Sequence, residues 1–97
     1  MAMLGIQYRV LVSKEDVENV SRVTVYSTPT CPWCNAAKRY LRQRGIPFRD
    51  VDVSRDRREA ERMVHKSGQS GVPVVEIDGK IIVGFDRARI DRALNLR

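Results

Sequence analysis

Cysteine, histidine and long apolar runs are all scarce in this chain of 97 residues. Two cysteines and one histidine are too few for an ordinary four-ligand zinc site, so we expect no metal. We place the histidine, His65, on the surface of a helix. No apolar run approaches the roughly 18 residues that a membrane-spanning helix needs. The first six residues lack the basic region and apolar stretch of a signal peptide, and we therefore expect a cytoplasmic protein.

Charge of both signs is plentiful, with 18 lysines and arginines against 12 acids and a net charge of +6. Together with a hydrophobic content of 42%, this composition is typical of one small globular domain. The basic residues are spread over 38–49, 55–66 and 87–97, which favours solvated helix faces. A basic surface for a partner or an anionic substrate is the alternative. A nucleic-acid-binding module is a weaker one, because the chain has no recognition motif.

Strand-like and helix-like segments alternate from Arg22 onward in the order β-α-β-α-β-β-α. Short β-branched runs predict strands over 23–26, 48–53, 71–77 and 80–83. Helical spacing of apolar residues predicts helices over 32–44, 55–66 and from 87 onward. Such an order requires crossover connections, so we predict an α/β fold with a mixed four-stranded sheet and helices on both faces.

The predicted helix ends and buried faces depend on a few residues. We expect Ser54 and Asp86 to cap the second and third helices, and Gly45 and Gly68 to end the first and second. Asp78-Gly79 predicts a tight hairpin turn. The residues expected to face inward share helical spacing: Ala36, Ala37, Tyr40, Leu41, Ala60, Met63, Val64, Ile90, Ala93 and Leu94.

Residues 1–21 form an extension to the domain predicted over 22–97. Within it, Tyr8–Val12 has the pattern of an additional edge strand. Ser13 and Asp16 resemble a capping box that opens a short helix through Val20. A partly ordered arm is the alternative interpretation.

The two cysteines are three positions apart, in Cys31-Pro32-Trp33-Cys34. A disulfide across so short a loop stabilises a fold little, so a structural staple explains the pair poorly. At the start of a helix, free N–H groups and the helix dipole stabilise a thiolate on the first cysteine, and the second lies within disulfide reach. The pair therefore predicts thiol–disulfide exchange, with Cys31 as the nucleophile and Cys34 as the more buried resolving thiol.

Three basic residues, Lys38, Arg39 and Arg42, follow the cysteines on the predicted helix. Some raise the positive potential near Cys31, but we expect most to project into solvent and assign them no catalytic role. Val72-Pro73 opens the third strand, a position that suits proline. A backbone turned outward there would leave the Val72 N–H and C=O to pair with an extended substrate. An ordinary edge-strand proline is the alternative.

From about Val23 to Leu94, the chain resembles a glutaredoxin. The landmarks are Cys31-Pro32-Trp33-Cys34 after a strand, Gly71-Val72-Pro73, and Gly84-Phe85-Asp86 before the last helix. The resemblance implies a thioredoxin fold, a cis Pro73 and disulfide reduction. It also implies catalytic roles for the four motif residues and substrate binding by Val72, Pro73, Gly84, Phe85 and Asp86.

The sequence departs from the glutaredoxin pattern around the expected glutathione site. Thr28 stands where the family usually has a lysine that holds the glycyl carboxylate. Val83 replaces a glycine, and Arg87 replaces an aspartate, at the helix start that receives the glutamyl carboxylate. Arg49, Gln69 and Arg87 are candidates for the missing carboxylate contacts. The same departures resemble the redoxins that supply electrons to ribonucleotide reductase, although Cys-Pro-x-Cys is closer to glutaredoxins.

The resemblance implies protein or glutathione mixed disulfides as substrates, a monomer, and no tightly bound cofactor. It also implies glutathione or thioredoxin reductase as the electron donor. An alternative function is a carrier of a [2Fe–2S] cluster held between two subunits by the first cysteines and two glutathione thiols.

Overall fold

The computed structural model describes residues 22–96. They form seven elements in the predicted order: β1 (Val23–Ser27), α1 (Pro32–Gln43), β2 (Arg49–Asp52), α2 (Arg57–Ser67), β3 (Val74–Ile77), β4 (Lys80–Val83) and α3 (Arg87–Leu94). The strand predicted over Tyr8–Val12 and the helix predicted from Ser13 lie outside the described residues. In the described part of the chain, no helix has the length and apolarity needed to cross a membrane.

The four strands form one mixed sheet in the order β2-β1-β3-β4. β1 pairs with β2 in parallel, which requires the crossover through α1, and with β3 antiparallel. β3 and β4 form an antiparallel hairpin. Its turn residues Asp78 and Gly79 have φ values of 51° and 86°, the left-handed pair that a two-residue turn favours. The predicted mixed sheet, thioredoxin-like fold and hairpin are confirmed.

Each face of the sheet is covered by helices, because successive strand residues point to opposite faces. On one face, Val25, Val75 and Ile77 pack with Leu41 of α1 and Ile90 of α3. The opposite face packs around the buried side chains Tyr26, Val51, Met63 and Val74, of which Met63 belongs to α2. Helices therefore lie on both faces of the sheet, as predicted.

The second helix begins two residues later than predicted, because Asp56 and not Ser54 is its cap. The Asp52 carboxylate accepts hydrogen bonds from the N–H and hydroxyl of Ser54, which holds Ser54 in a turn before the helix. Asp56 then accepts from the Glu59 N–H at 3.1 Å. The helix α2 therefore begins at Arg57.

Part of the predicted inward stripe of α2 is also wrong. Val64 is 41% exposed, whereas Met63 and Glu59 are buried and Ala60 is half-buried. Elsewhere the predicted ends hold: Gly45 and Gly68 follow their helices with φ values of 70° and 76°. Asp86 caps α3 as predicted.

Candidate functional site

The candidate site lies where β1 ends and β3 begins. Tyr26 near the end of β1 pairs with Val74, the first residue of β3. The loop from Thr28 to α1 and the Val72-Pro73 segment before β3 therefore emerge from the same edge of the sheet. This adjacency brings together cysteines and a proline that lie about forty positions apart in the sequence.

Cys31 is the N-cap residue of α1, with extended backbone angles φ −89° and ψ 112°. Its Sγ accepts a hydrogen bond from the Cys34 N–H at 3.1 Å, one of the N–H groups that a helix start leaves without an intrahelical partner. Pro32 takes the first helical position, where its lack of an N–H costs nothing. The side chain of Cys31 is partly exposed. A negative charge on this sulfur is thus stabilised by a backbone donor and by the helix dipole, and substrates can reach it.

Cys34 differs from Cys31 in that its side chain is fully buried. Burial, and then its contact with the Cys31 side chain, raises the pKa of Cys34 from 9.0 to about 11. At neutral pH Cys34 is therefore a protonated thiol. The structure brings the two cysteines together, one accessible and one buried, in the arrangement that the spacing predicts.

The two residues between the cysteines lie at the surface. Pro32 is exposed, and the indole of Trp33 is 66% exposed. Trp33 thus adds an apolar surface beside Cys31, where a substrate disulfide would approach.

The Val72-Pro73 bond is cis, as the family resemblance implies. The Val72 carbonyl oxygen lies 3.9 Å from Cys31 Sγ, and Pro73 is buried beneath it. Backbone groups of the Val72 segment are therefore next to the accessible thiol. This geometry suits an extended peptide that carries the target disulfide.

Gly84 joins the site through the backbone, because its N–H donates to the Pro73 carbonyl at 2.8 Å. With a φ of 83°, Gly84 adopts a left-handed conformation that favours glycine. Phe85 is half-buried, and its ring centre lies 5.9 Å from that of Tyr40. The Asp86 carboxylate accepts from the Arg89 N–H at 3.1 Å as the cap of α3. Gly84 thus supports the Pro73 segment, and Phe85 and Asp86 anchor α3.

The three candidates for the missing carboxylate contacts lie in different places. Arg49 pairs with Thr24 at the opposite end of β1 and lies 3.8 Å from Glu59. The Gln69 side chain bonds both to the N–H and to the C=O of Gly71, just before the Val72 segment. Arg87 stacks over the Tyr40 ring at 4.6 Å. Of the three, Arg49 is remote from the cysteines.

A polar cluster beneath the cysteines was missed by sequence reasoning. Lys38 was expected to project into solvent with its basic neighbours, but it is only 9% exposed. Its Nζ lies 3.0 Å from Asp50 Oδ2 and donates to Ser27 Oγ at 3.3 Å. One signal could have found it: Lys38 follows Cys34 by four positions, which places both on one face of the helix.

Comparisons with known proteins agree with this architecture. Residues 23–82 match the family model described as glutaredoxin. A glutaredoxin-like 8.6 kDa protein from the rubredoxin operon of Clostridium pasteurianum is 54% identical over 72 residues, which cover 74% of this chain and 96% of that protein. Glutaredoxin 3 of Escherichia coli is 33% identical over 67 residues, 69% of this chain and 81% of that protein. The structure of the NrdH-redoxin from Escherichia coli superimposes with a TM-score of 0.67 at 32% identity, over 73% of this chain and 92% of that one.

Proposed function

The chain belongs to the glutaredoxin family, and on that premise we propose that it is a thiol–disulfide oxidoreductase that works through Cys31 and Cys34. The observation that carries the proposal is the contrast between the two thiols. Cys31 is accessible and accepts a backbone N–H, whereas burial raises the pKa of Cys34 to about 11. A nucleophile and a reserve thiol are what two-step exchange requires.

In the first step, the Cys31 thiolate attacks one sulfur of the substrate disulfide and the other substrate sulfur leaves as a thiolate. Cys31 and the substrate are then joined in a mixed disulfide. The Val72 backbone and the exposed Trp33 hold the substrate chain beside Cys31. In the second step, Cys34 attacks Cys31 Sγ, releases the substrate and closes the Cys31–Cys34 disulfide. Protein disulfides or glutathione mixed disulfides are the proposed substrates.

Variants of the two cysteines test this mechanism with opposite expected results. Cys31→Ser abolishes the reduction of a small disulfide, because Cys34 is buried. Cys34→Ser keeps the first step and accumulates a mixed disulfide at Cys31, which mass spectrometry detects as an adduct. Normal turnover by Cys31→Ser, after the rate of the reductant alone has been subtracted, would contradict the mechanism.

For the electron donor, we propose a flavoprotein thioredoxin reductase in preference to glutathione. The Escherichia coli NrdH-redoxin is described as having a thioredoxin-like activity profile. In this chain, Thr28 supplies no cation, Arg49 lies at the far end of β1, and the Gln69 amide is engaged by Gly71. Of the candidates named above only Arg87, stacked over Tyr40, is left, so these placements disfavour tight binding of both glutathione carboxylates.

A side-by-side assay decides between the donors. One arm supplies NADPH with thioredoxin reductase, and the other supplies NADPH with glutathione and glutathione reductase. We expect faster oxidation of NADPH in the thioredoxin reductase arm. Faster oxidation in the glutathione arm would assign the chain to the glutathione-dependent group.

The cluster carrier is tested separately. A colourless protein from anaerobic purification with glutathione present would dismiss it.

A further inference from the structure

The helix that carries the cysteines also buries a lysine one turn after Cys34. Lys38 is 9% exposed, and its Nζ is held 3.0 Å from Asp50 Oδ2 and 3.3 Å from Ser27 Oγ. Ser27 in turn donates to Asp50 Oδ1 at 2.9 Å. Burying a lysine is unfavourable unless its charge is paired, so the position of this cation is closely specified. We call Lys38, Asp50 and Ser27 the Lys38 cluster.

Three geometric facts place the Lys38 cluster beside Cys34. Cys34 and Lys38 are four positions apart in α1 and both are buried, so they share a face. Helical side chains incline toward the N-terminus, so the lysine chain covers the turn that contains Cys34. The Cys34 thiol contacts the Thr28 backbone, and the lysine ammonium contacts Ser27, the residue immediately before Thr28.

We propose that Lys38, held by Asp50 and Ser27, is a positioning residue for the second step, where its cation stabilises the negative charge that develops on Cys34 Sγ. The proposal rests on the proposed function and adds a group that assists Cys34 alone. This role explains why a cation is buried inside the domain. Burial favours the protonated form of Cys34, and the Lys38 cation acts against that effect.

The assisted step balances as follows. The Cys34 thiol gives its proton to water or hydroxide, and the resulting thiolate forms a bond to Cys31 Sγ with its electron pair. The bond between Cys31 and the substrate sulfur breaks, and the substrate leaves as a thiolate that carries that bond's electron pair. The protein gains one disulfide and the substrate loses one, so no further oxidant or reductant is required.

The charges around Cys34 agree with this role. Among residues 22–96, the titratable groups that act on the Cys34 thiol are Cys31, which raises its pKa, and Lys38, which lowers it. Asp50 and Ser27 act indirectly, because they hold the lysine. A purely structural role for Lys38, tying α1 to the edge strand β2, is the competing explanation.

The two steps can be timed separately with dithionitrobenzoate, which releases one coloured thiolate when Cys31 attacks and a second when Cys34 resolves the adduct. We expect Lys38→Met to leave the first release unchanged and to slow the second about threefold at neutral pH. Loss of the cation removes a charge that lowers the pKa of Cys34, so a smaller fraction of Cys34 is thiolate at neutral pH. The greater nucleophilicity of a more basic thiolate offsets part of that loss.

The pH profile separates the electrostatic role from a structural one. Ionisation of Cys34 stops limiting the rate only above its pKa of about 11, so the difference between the two proteins in the rate of the second release persists up to that pH and narrows above it. A structural defect would slow the second release equally at every pH. Lys38→Arg keeps the cation and restores most of the rate, and Lys38→Gln replaces the methionine variant if circular dichroism shows that the latter fails to fold.

The matched control is Lys66→Met, which removes a lysine that lies 2.7 Å from Glu76 on the opposite face of the sheet. Both releases should keep wild-type rates in this variant. The proposal is overturned if Lys38→Met and Lys66→Met resolve the adduct equally fast. The proposed function itself fails in a different way, through a wild-type protein that releases only one coloured thiolate, or a Cys34→Ser variant that releases two.

Discussion

Each face of the sheet carries a lysine that contacts an acid and a hydroxyl. Only one of these two clusters lies beside a cysteine. On the α1 face, Lys38 binds Asp50 and the hydroxyl of Ser27. On the α2 face, Lys66 lies 2.7 Å from Glu76 and 3.4 Å from the hydroxyl of Tyr26. We call Lys66, Glu76 and Tyr26 the Lys66 cluster.

Both clusters arise from successive residues at the end of β1, because Tyr26 and Ser27 point to opposite faces. They differ in which partner is buried. The side chain of Lys38 is 11% exposed against 44% for Asp50, whereas Lys66 is 33% exposed against 21% for Glu76. In the Lys38 cluster the cation is enclosed and the acid is hydrated.

The largest expected difference between the two faces comes from the Cys34 thiol, because no thiol lies beside the Lys66 cluster. The pKa of Cys34 is raised to about 11 in the folded state, so its stabilising contribution is present below pH 9 and is lost as pH rises through 11. Wild-type protein should lose up to about 3 kcal/mol more than Cys34→Ala over that interval. Denaturant titrations of both proteins at pH 8, 9, 10 and 11, with a phosphine reductant, measure the difference.

Equal pH slopes for wild type and Cys34→Ala would show that the Cys34 thiol ionises as freely in the folded chain as in the unfolded one. The asymmetry between the two cysteines would then lack its energetic basis.

The acids of the two clusters, Asp50 and Glu76, give the next difference in the free energy of unfolding. Asp50→Asn leaves a nearly enclosed Lys38 cation with a weaker partner, whereas Glu76→Gln leaves Lys66 partly hydrated. We therefore expect Asp50→Asn to lower the free energy of unfolding by about 2 kcal/mol and Glu76→Gln by about 1 kcal/mol. Urea titrations at pH 7 give both values, and the opposite order would mean that enclosure of the cation does not control the cost.

At the lysines the order reverses, and the larger of the two effects is smaller than that of Asp50→Asn. Lys38→Met leaves Asp50, which water can reach, at a cost of roughly 0.5 kcal/mol. Lys66→Met leaves the less exposed Glu76 and costs about 1 kcal/mol. Thermal melting of the two variants at pH 7 checks the order. The acid variants and the lysine variants are thus expected to rank the two clusters in opposite orders. That result would show that the cost of each substitution depends on how deeply the remaining partner is buried, and not on the number of ion pairs lost.

Local signals in the sequence predict much of the fold. Pro32 starts α1, Asp78-Gly79 makes the hairpin and Asp86 caps α3, each through chemistry contained within a few neighbouring residues. The predicted start of α2 was wrong because two residues, Ser54 and Asp56, compete to cap this helix. Asp52 binds Ser54, which leaves the capping position to Asp56.

The residues of the candidate site also fall into those that the sequence predicts and those that it does not. The cysteines and Val72-Pro73 stand out as motifs, so their adjacency could be predicted from the sequence and the family resemblance together. The Lys38 cluster could not, because it joins α1 to two strands, β1 and β2, that become neighbours only in the sheet. Lys38 reads as one more basic residue in a charged helix until the pairing of Val25 with Asp50 is known.

The exposed indole beside Cys31 has an optical consequence. Trp33 is the only tryptophan in the chain, and its side chain is already 66% exposed in the folded state. Unfolding therefore changes the solvation of this fluorophore little, whereas a sulfur adduct on Cys31 forms two positions away. Intrinsic emission will report the chemical state of the dithiol in real time, without a label, and will be a poor guide to whether the domain is folded.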